Sequence, residues 1–219
     1  MSMAGFGIRE RTILVDSLII VFAAYAFSNY IFLFVGGNDF GMSSNFFLYY
    51  TNWSNILAVV GAIASLYCLF KGIRIPKALA IFKLAATLML TVTMLVVVFV
   101  LAPTIGWHVL FDLGGMIFLH LLIPLLAIVD FLYLSDMDPF SRRDVLYSLI
   151  PMLIYAIGII TVLLIAGNDD LAPYPFLRIH SQPLFATILW LIGLALLAYG
   201  IAYGYSRLVR RTNPAVKAE

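Results

Sequence analysis

The sequence predicts an all-α membrane protein, a single bundle of six transmembrane helices with both termini cytoplasmic. Three observations carry this. The 219 residues are 63% hydrophobic and 11% charged, with a mean hydropathy of +1.05, a balance that a soluble domain of this size does not tolerate. Six apolar runs cover 13–35, 47–70, 78–102, 115–134, 145–166 and 184–205, each meeting the ~20 residues a helix needs to cross hydrocarbon. The connectors between them are short and rich in Gly, Pro, Asp and Asn, so 1–219 reads as one membrane domain.

The first run stays apolar past Ser28 and Asn29 to Val35 and is read as a retained span, not a cleaved signal. The second opens on the polar stretch Tyr49-Tyr50-Thr51-Asn52-Trp53-Ser54-Asn55 and ends near Cys68, the single cysteine, which excludes an intramolecular disulfide. In the third, Lys83 lies a turn or so inside and is expected to snorkel to the cytoplasmic surface. Thr87 and Thr91, at mid-depth, read as packing hydroxyls. The fourth carries His120 and Pro124 and ends at Asp130, expected to be a structural or interfacial charge. The fifth and sixth are joined by the longest outer connector, GNDDLAPYPFLRIHSQP, in which prolines flank Tyr174 and fix an extended path over the mouth of the bundle.

Basic residues set the orientation. Arg9, Arg11, Lys71, Arg74, Lys77, Arg142, Arg143, Arg207, Arg210, Arg211 and Lys217 all fall on one side, which the retention of Lys and Arg during insertion makes cytoplasmic. The net charge of +2 is accounted for by these residues, and no basic run is dense enough for nucleic acid. Arg178 alone lies in a connector on the other side. It would suit a carboxylate or phosphate head group, or a salt bridge to Asp169 or Asp170.

Polar side chains in hydrocarbon are costly and mark candidate sites. At ~1.5 Å per residue, Thr51 lies roughly 6 Å and His120 roughly 8 Å below the starts of two spans that run inward in the same direction. A hydroxyl and an imidazole therefore come to similar depth. Ser54 and Asn55, three and four residues after Thr51, share its helix face. The competing readings are a threonine hydroxyl bonded to a carbonyl one turn earlier and interhelical bonding by Ser and Asn. Asn52 completes an Asn-Trp-Ser glycosylation sequon too close to hydrocarbon to be modified. A neutral His120 would serve as a general base, the alternative being a bond to a neighbouring helix. Pro124 removes a backbone donor and is expected to leave the His120 carbonyl without its helical partner, kinking the helix or ordering a water. Asp112, in the preceding connector, is a candidate to orient His120.

Three islands then carry a resemblance: FLYYT ending in Thr51, HLLIP from His120 to Pro124 followed by Asp130, and YPFL from Tyr174 to Leu177. In this order they resemble the androgen-induced-gene family of six-span proteins and its bacterial relatives, whose animal members hydrolyse fatty acid esters of hydroxy fatty acids. The resemblance implies a multi-pass protein of the bacterial cytoplasmic membrane and a catalytic threonine and histidine at the matching positions, Thr51 and His120. The proline in animal members stands one residue farther from the histidine, and the segments between the islands show no match. On this reading neutral His120 takes the proton of Thr51 as its oxygen attacks a lipid ester. Asn55 and Tyr174 are the candidate oxyanion donors, with Asn52, Ser54 and Arg178 as further substrate contacts. Transfer to water makes a hydrolase and transfer to a lipid hydroxyl an acyltransferase. The expected partners are membrane lipids and a lipid ester, with no cofactor.

A lipid-binding or transport protein with a polar pocket open to the outer leaflet is the reading from another class. Against transport, the inner half of the bundle is expected to hold few charges, and no pair of broken helices marks a midplane site. His-Glu-x-x-His and Gly-x-Ser-x-Gly are absent. His108 and His180 fall in connectors, which leaves His120 alone and gives no support to haem or metal.

Overall fold

The computed structural model describes residues 7–35, 45–111 and 115–212, and the side chains of all of these except 30–35 and 210–212. The described residues are mostly helical, with no strand among them. The principal helices are α1 (Ile8–Val35), α2 (Tyr50–Lys71), α3 (Lys77–Ile105), α4 (Phe118–Leu134), α5 (Arg142–Ala166) and α6 (Leu184–Thr212). Five are long and apolar enough to cross a membrane, whereas the fourth apolar run folds as the shorter α4. Asp112 and Lys217 lie outside the described residues, as do the side chains of Arg210 and Arg211.

Backbone chemistry sets the ends. Ser141 and Asp144 form a capping box at the start of α5: the Ser141 hydroxyl accepts from the Asp144 amide at 3.2 Å and the Ser141 amide donates to Asp144 Oδ2 at 2.7 Å. Gly167 closes that helix in the left-handed conformation, φ 68°. Prolines leave their mark inside the spans. α3 relaxes into a π-turn over Val97–Leu101 just ahead of Pro103, and α4 does so over Phe118–Leu122 ahead of Pro124. A second π-turn, Asp130–Leu134, ends α4.

α3 is the central helix: 72% of its apolar window is buried, against 11% for α5 and α6. It packs on α2, α4, α5 and α6, while α1 packs on α2 and α4. Large apolar residues such as Val21, Ile63, Phe99, Ile154, Ile165 and Leu196 point outward, the pattern of a surface solvated by lipid. The approach to α4 is tight. A Cβ on Gly115 would meet the Ala26 backbone of α1 at 2.9 Å, so glycine is what lets the chain enter α4 against α1. That contact fixes the turn carrying His120.

Candidate functional site

The N-terminal turn of α2 holds the predicted polar cluster, and all of it is buried. Thr51 is 6% exposed; Asn52, Ser54 and Asn55 are inaccessible. Three of these side chains spend their donors on backbone. Asn52 Nδ2 donates to the Phe46 carbonyl at 2.8 Å, tying α2 to the 3-10 turn Phe46–Leu48. Ser54 Oγ donates to the Thr51 carbonyl at 2.9 Å and meets Thr93 Oγ1 of α3 at 3.0 Å. Asn55 Nδ2 donates to the Thr51 carbonyl at 2.8 Å and across to the Leu119 carbonyl of α4 at 3.2 Å. Two carbonyls facing one end of the amide fix its orientation, because the opposite flip would set three oxygens together.

The last bond has a cause in the sequence. In the π-turn of α4 the Ile123 amide donates to Phe118, five residues back. The next donor in that register, to Leu119, would come from residue 124, a proline without N–H. Asn55 supplies it instead. The orphaned carbonyl expected at His120 is thus displaced one residue to Leu119, and a side-chain amide from α2 satisfies it. The same bond holds the turn of Thr51 and Asn55 level with that of His120. It also removes Asn55 as an oxyanion donor, since both its N–H groups are committed.

His120 is 6% exposed. Its Nδ1 is buried with no protein hydrogen-bond partner, and the backbone of Val109, in the 3-10 turn Trp107–Leu110, approaches the ring. No hydrogen bond joins it to Thr51 among the described residues. Thr51 is instead covered by Tyr174 from the long connector, whose phenol oxygen accepts from the Thr51 amide at 3.4 Å and lies beside the Thr51 hydroxyl. Burial pushes the Tyr174 phenol up to about 12, so at neutral pH it keeps its proton and remains a donor.

An apolar cavity of about 370 Å³ opens from Thr51 and Tyr174. Its walls are α3, α5 and α6, with Val96, Met152, Ala156 and Ala195 among the lining residues. Sequence reasoning missed two polar groups in its lining, Thr93 and Tyr155; Tyr50, from the polar stretch already singled out, lines it as well. Tyr155 donates to the Leu48 carbonyl at 2.7 Å and stands edge-on to Tyr50. Tyr174, Phe176 and Trp190 stack in series as the roof. The connector holds that roof through Gln182, which donates to the Phe176 carbonyl at 2.9 Å, and through Asp169, which accepts from Ser181 Oγ at 2.6 Å and the His180 amide at 3.1 Å. Asp169 is thereby engaged without Arg178, which is exposed and forms no ion pair among the described residues.

A second polar cluster lies toward the basic end of the bundle and corrects the expectation of few charges there. Lys83 does not snorkel. It is buried, pairs with Asp130 Oδ2 at 2.5 Å, and donates to Ser65 Oγ at 3.1 Å and Ser135 Oγ at 2.9 Å. Asp130, buried in this ion pair at the start of the closing π-turn of α4, takes the structural role of the two expected for it. Asp16 of α1, inside what reads as an uninterrupted apolar run, is buried beside them. Thr91 bonds the Thr87 carbonyl and Tyr205 of α6 at 2.8 Å, a packing role as expected.

Fold and sites together define a multi-pass helical membrane protein with two buried polar clusters, one of which opens onto an apolar cavity. Compared with family models, with curated proteins and with solved structures, the chain matches none.

Proposed function

We propose that the chain is an intramembrane lipid-ester hydrolase, with Thr51 as nucleophile and His120 as general base, acting on fatty acyl esters such as fatty acid esters of hydroxy fatty acids. The observation that carries this is the placement of Thr51: a buried hydroxyl at the polar end of an apolar cavity of about 370 Å³, within the size range of small-molecule sites and able to take part of an acyl chain. An acyl chain lying between α5 and α6 would bring its ester carbonyl to Thr51. The resemblance of the FLYYT, HLLIP and YPFL islands to the androgen-induced-gene family selects the same two residues.

In the proposed reaction the ester displaces the Tyr174 phenol from the Thr51 hydroxyl, and Thr51 and His120 converge. Such hydrogen bonds are often unformed before substrate binds. His120 takes the hydroxyl proton as Thr51 Oγ1 attacks the carbonyl carbon. The tetrahedral oxyanion accepts from the Tyr174 phenol and from the Thr51 amide, which the displaced phenol oxygen releases. Collapse expels the alcohol, which takes the proton from His120. Water, deprotonated by the same imidazole, then cleaves the acyl-threonine and frees the acid. We further place the protein in a bacterial cytoplasmic membrane as six spans, the shorter α4 included, with both termini cytoplasmic.

A lipid-binding or transport role is favoured by one observation, that the cavity beyond its polar mouth is lined by hydrocarbon alone. The two readings separate on purified protein in detergent incubated with a panel of lipid esters. Hydrolysis predicts acid release by the wild type and its loss in Thr51→Ala and His120→Ala at matched folding. Ester bound without acid release selects the binding role.

A further inference from the structure

We propose that Asp16, Lys83 and Asp130 form an intramembrane proton-binding site in which Asp16 carries an exchangeable proton. The hydrogen-bond count of Lys83 is the starting point. An ammonium has three N–H donors, and here they go to Asp130, Ser65 and Ser135. None is left for Asp16. That carboxyl is 0% exposed, and no described donor stands within good hydrogen-bond geometry of either oxygen, the Ser65 hydroxyl of α2 interacting with it only loosely.

Charge balance points the same way. Lys83 and Asp130 neutralise each other, so an ionised Asp16 would leave one uncompensated negative charge among three helices. A buried carboxylate without a partner is costly enough that it is neutralised instead. The charged groups that face Asp16 are Lys83 from α3 and Asp130 from α4. α2 contributes only the Ser65 hydroxyl, and on α1 itself Thr12, one turn toward the basic end, is bonded to the Ile8 and Leu134 carbonyls.

The ligand is a proton and not a metal cation. A cavity of about 20 Å³ adjoins Asp16, Lys83 and Asp130, room for one water molecule. Its other walls are aliphatic except for Thr87, which adds a single side-chain oxygen. That is too few for a cation's coordination shell of about six oxygens beside an ammonium, and no cluster of three or more His, Cys, Asp or Glu occurs among the described residues. An excess proton reaching a water there as hydronium would pass to an Asp16 oxygen, forming the carboxyl O–H bond as the hydronium O–H bond breaks and leaving neutral water. The reverse step releases it.

Infrared spectroscopy of the purified full chain in lipid tests this. At neutral pH the wild type should show the carbonyl stretch of one protonated, buried carboxyl group, shifted in D2O and unaffected by sodium chloride. Asp16→Asn should lose that band and melt within a few degrees of wild type, because a neutral amide replaces a neutral acid. If Asp16→Asn does not fold, Asp130→Asn serves instead: Asp16 becomes the counter-ion of Lys83 and the band disappears. Absence of the band in wild type, its survival in either variant, or its removal by sodium would overturn the proposal.

Discussion

Asn55→Leu removes the amide that stands in for the missing N–H of Pro124. The side chain is fully buried and makes two bonds, to Thr51 within its own helix and to Leu119 across the interface. The intrahelical bond contributes little, since the Thr51 carbonyl also accepts from Ser54. The interhelical one leaves the Leu119 carbonyl buried and unsatisfied, a cost of about 1–3 kcal/mol in a protein interior, although interhelical bonds in membranes average nearer ~0.6 kcal/mol. A loss of about 1–2 kcal/mol follows, or roughly 5- to 30-fold in the folding equilibrium. The decisive assay is a double-mutant cycle in detergent, read by reversible unfolding. Pro124→Ala returns an N–H to α4, so Asn55→Leu should cost about 1 kcal/mol less in that background. Strict additivity of the two substitutions would refute the exchange of an amide for a proline's missing donor.

Three further outcomes follow from the same geometry. Lys83→Met should destabilise the bundle by about 3–5 kcal/mol by stranding Asp130, while Lys83→Met with Asp130→Leu should recover most of it, measured by thermal unfolding. Ala156→Trp fills the cavity between α3, α5 and α6, so hydrolysis of long-chain esters should fall at least about tenfold while short-chain esters are spared; equal loss for both would separate the cavity from the substrate. Slight burial works to raise Asp169, but hydrogen bonds from Ser181 and from the His180 and Ser181 amides outweigh it and hold the carboxyl below its ordinary value. Its contribution is therefore present above about pH 4, the ordinary carboxylate value, and lost as pH falls through the lower folded value. Asp169→Asn should flatten the acid limb of the stability profile; an unchanged limb would assign acid sensitivity elsewhere.

The helices were legible because apolar runs long enough to span hydrocarbon have few alternatives: the second run, 47–70, is observed as a 3-10 turn followed by Tyr50–Lys71. The sixth continues to Thr212, past the point where hydropathy falls, because a helix already formed extends through polar residues. Helix rise alone put Thr51 and His120 at one level of the bundle, and the Asn55 bond to Leu119 agrees with that level. Which way a side chain turns was not legible. Lys83 sits one turn inside an apolar run, where snorkelling and burial look alike in sequence; only the packing of α4 against α3 decides, by presenting Asp130. Asp16 was hidden for the same reason, as one carboxyl in a stretch whose hydropathy it hardly lowers. The π-turn at His120 was also hidden. Proline announces a lost donor, but the shift of the orphan from His120 to Leu119 depends on how α1 and α2 clamp that turn.

The most direct test of a nucleophilic Thr51 is covalent capture. Purified protein is treated with a lipid-like fluorophosphonate, and the adduct is located by peptide mass spectrometry. One adduct per chain on Thr51, much reduced in His120→Ala and absent in Thr51→Ala, is the predicted result. An adduct on another residue, or labelling of Thr51 that is indifferent to His120, would contradict the proposed pair.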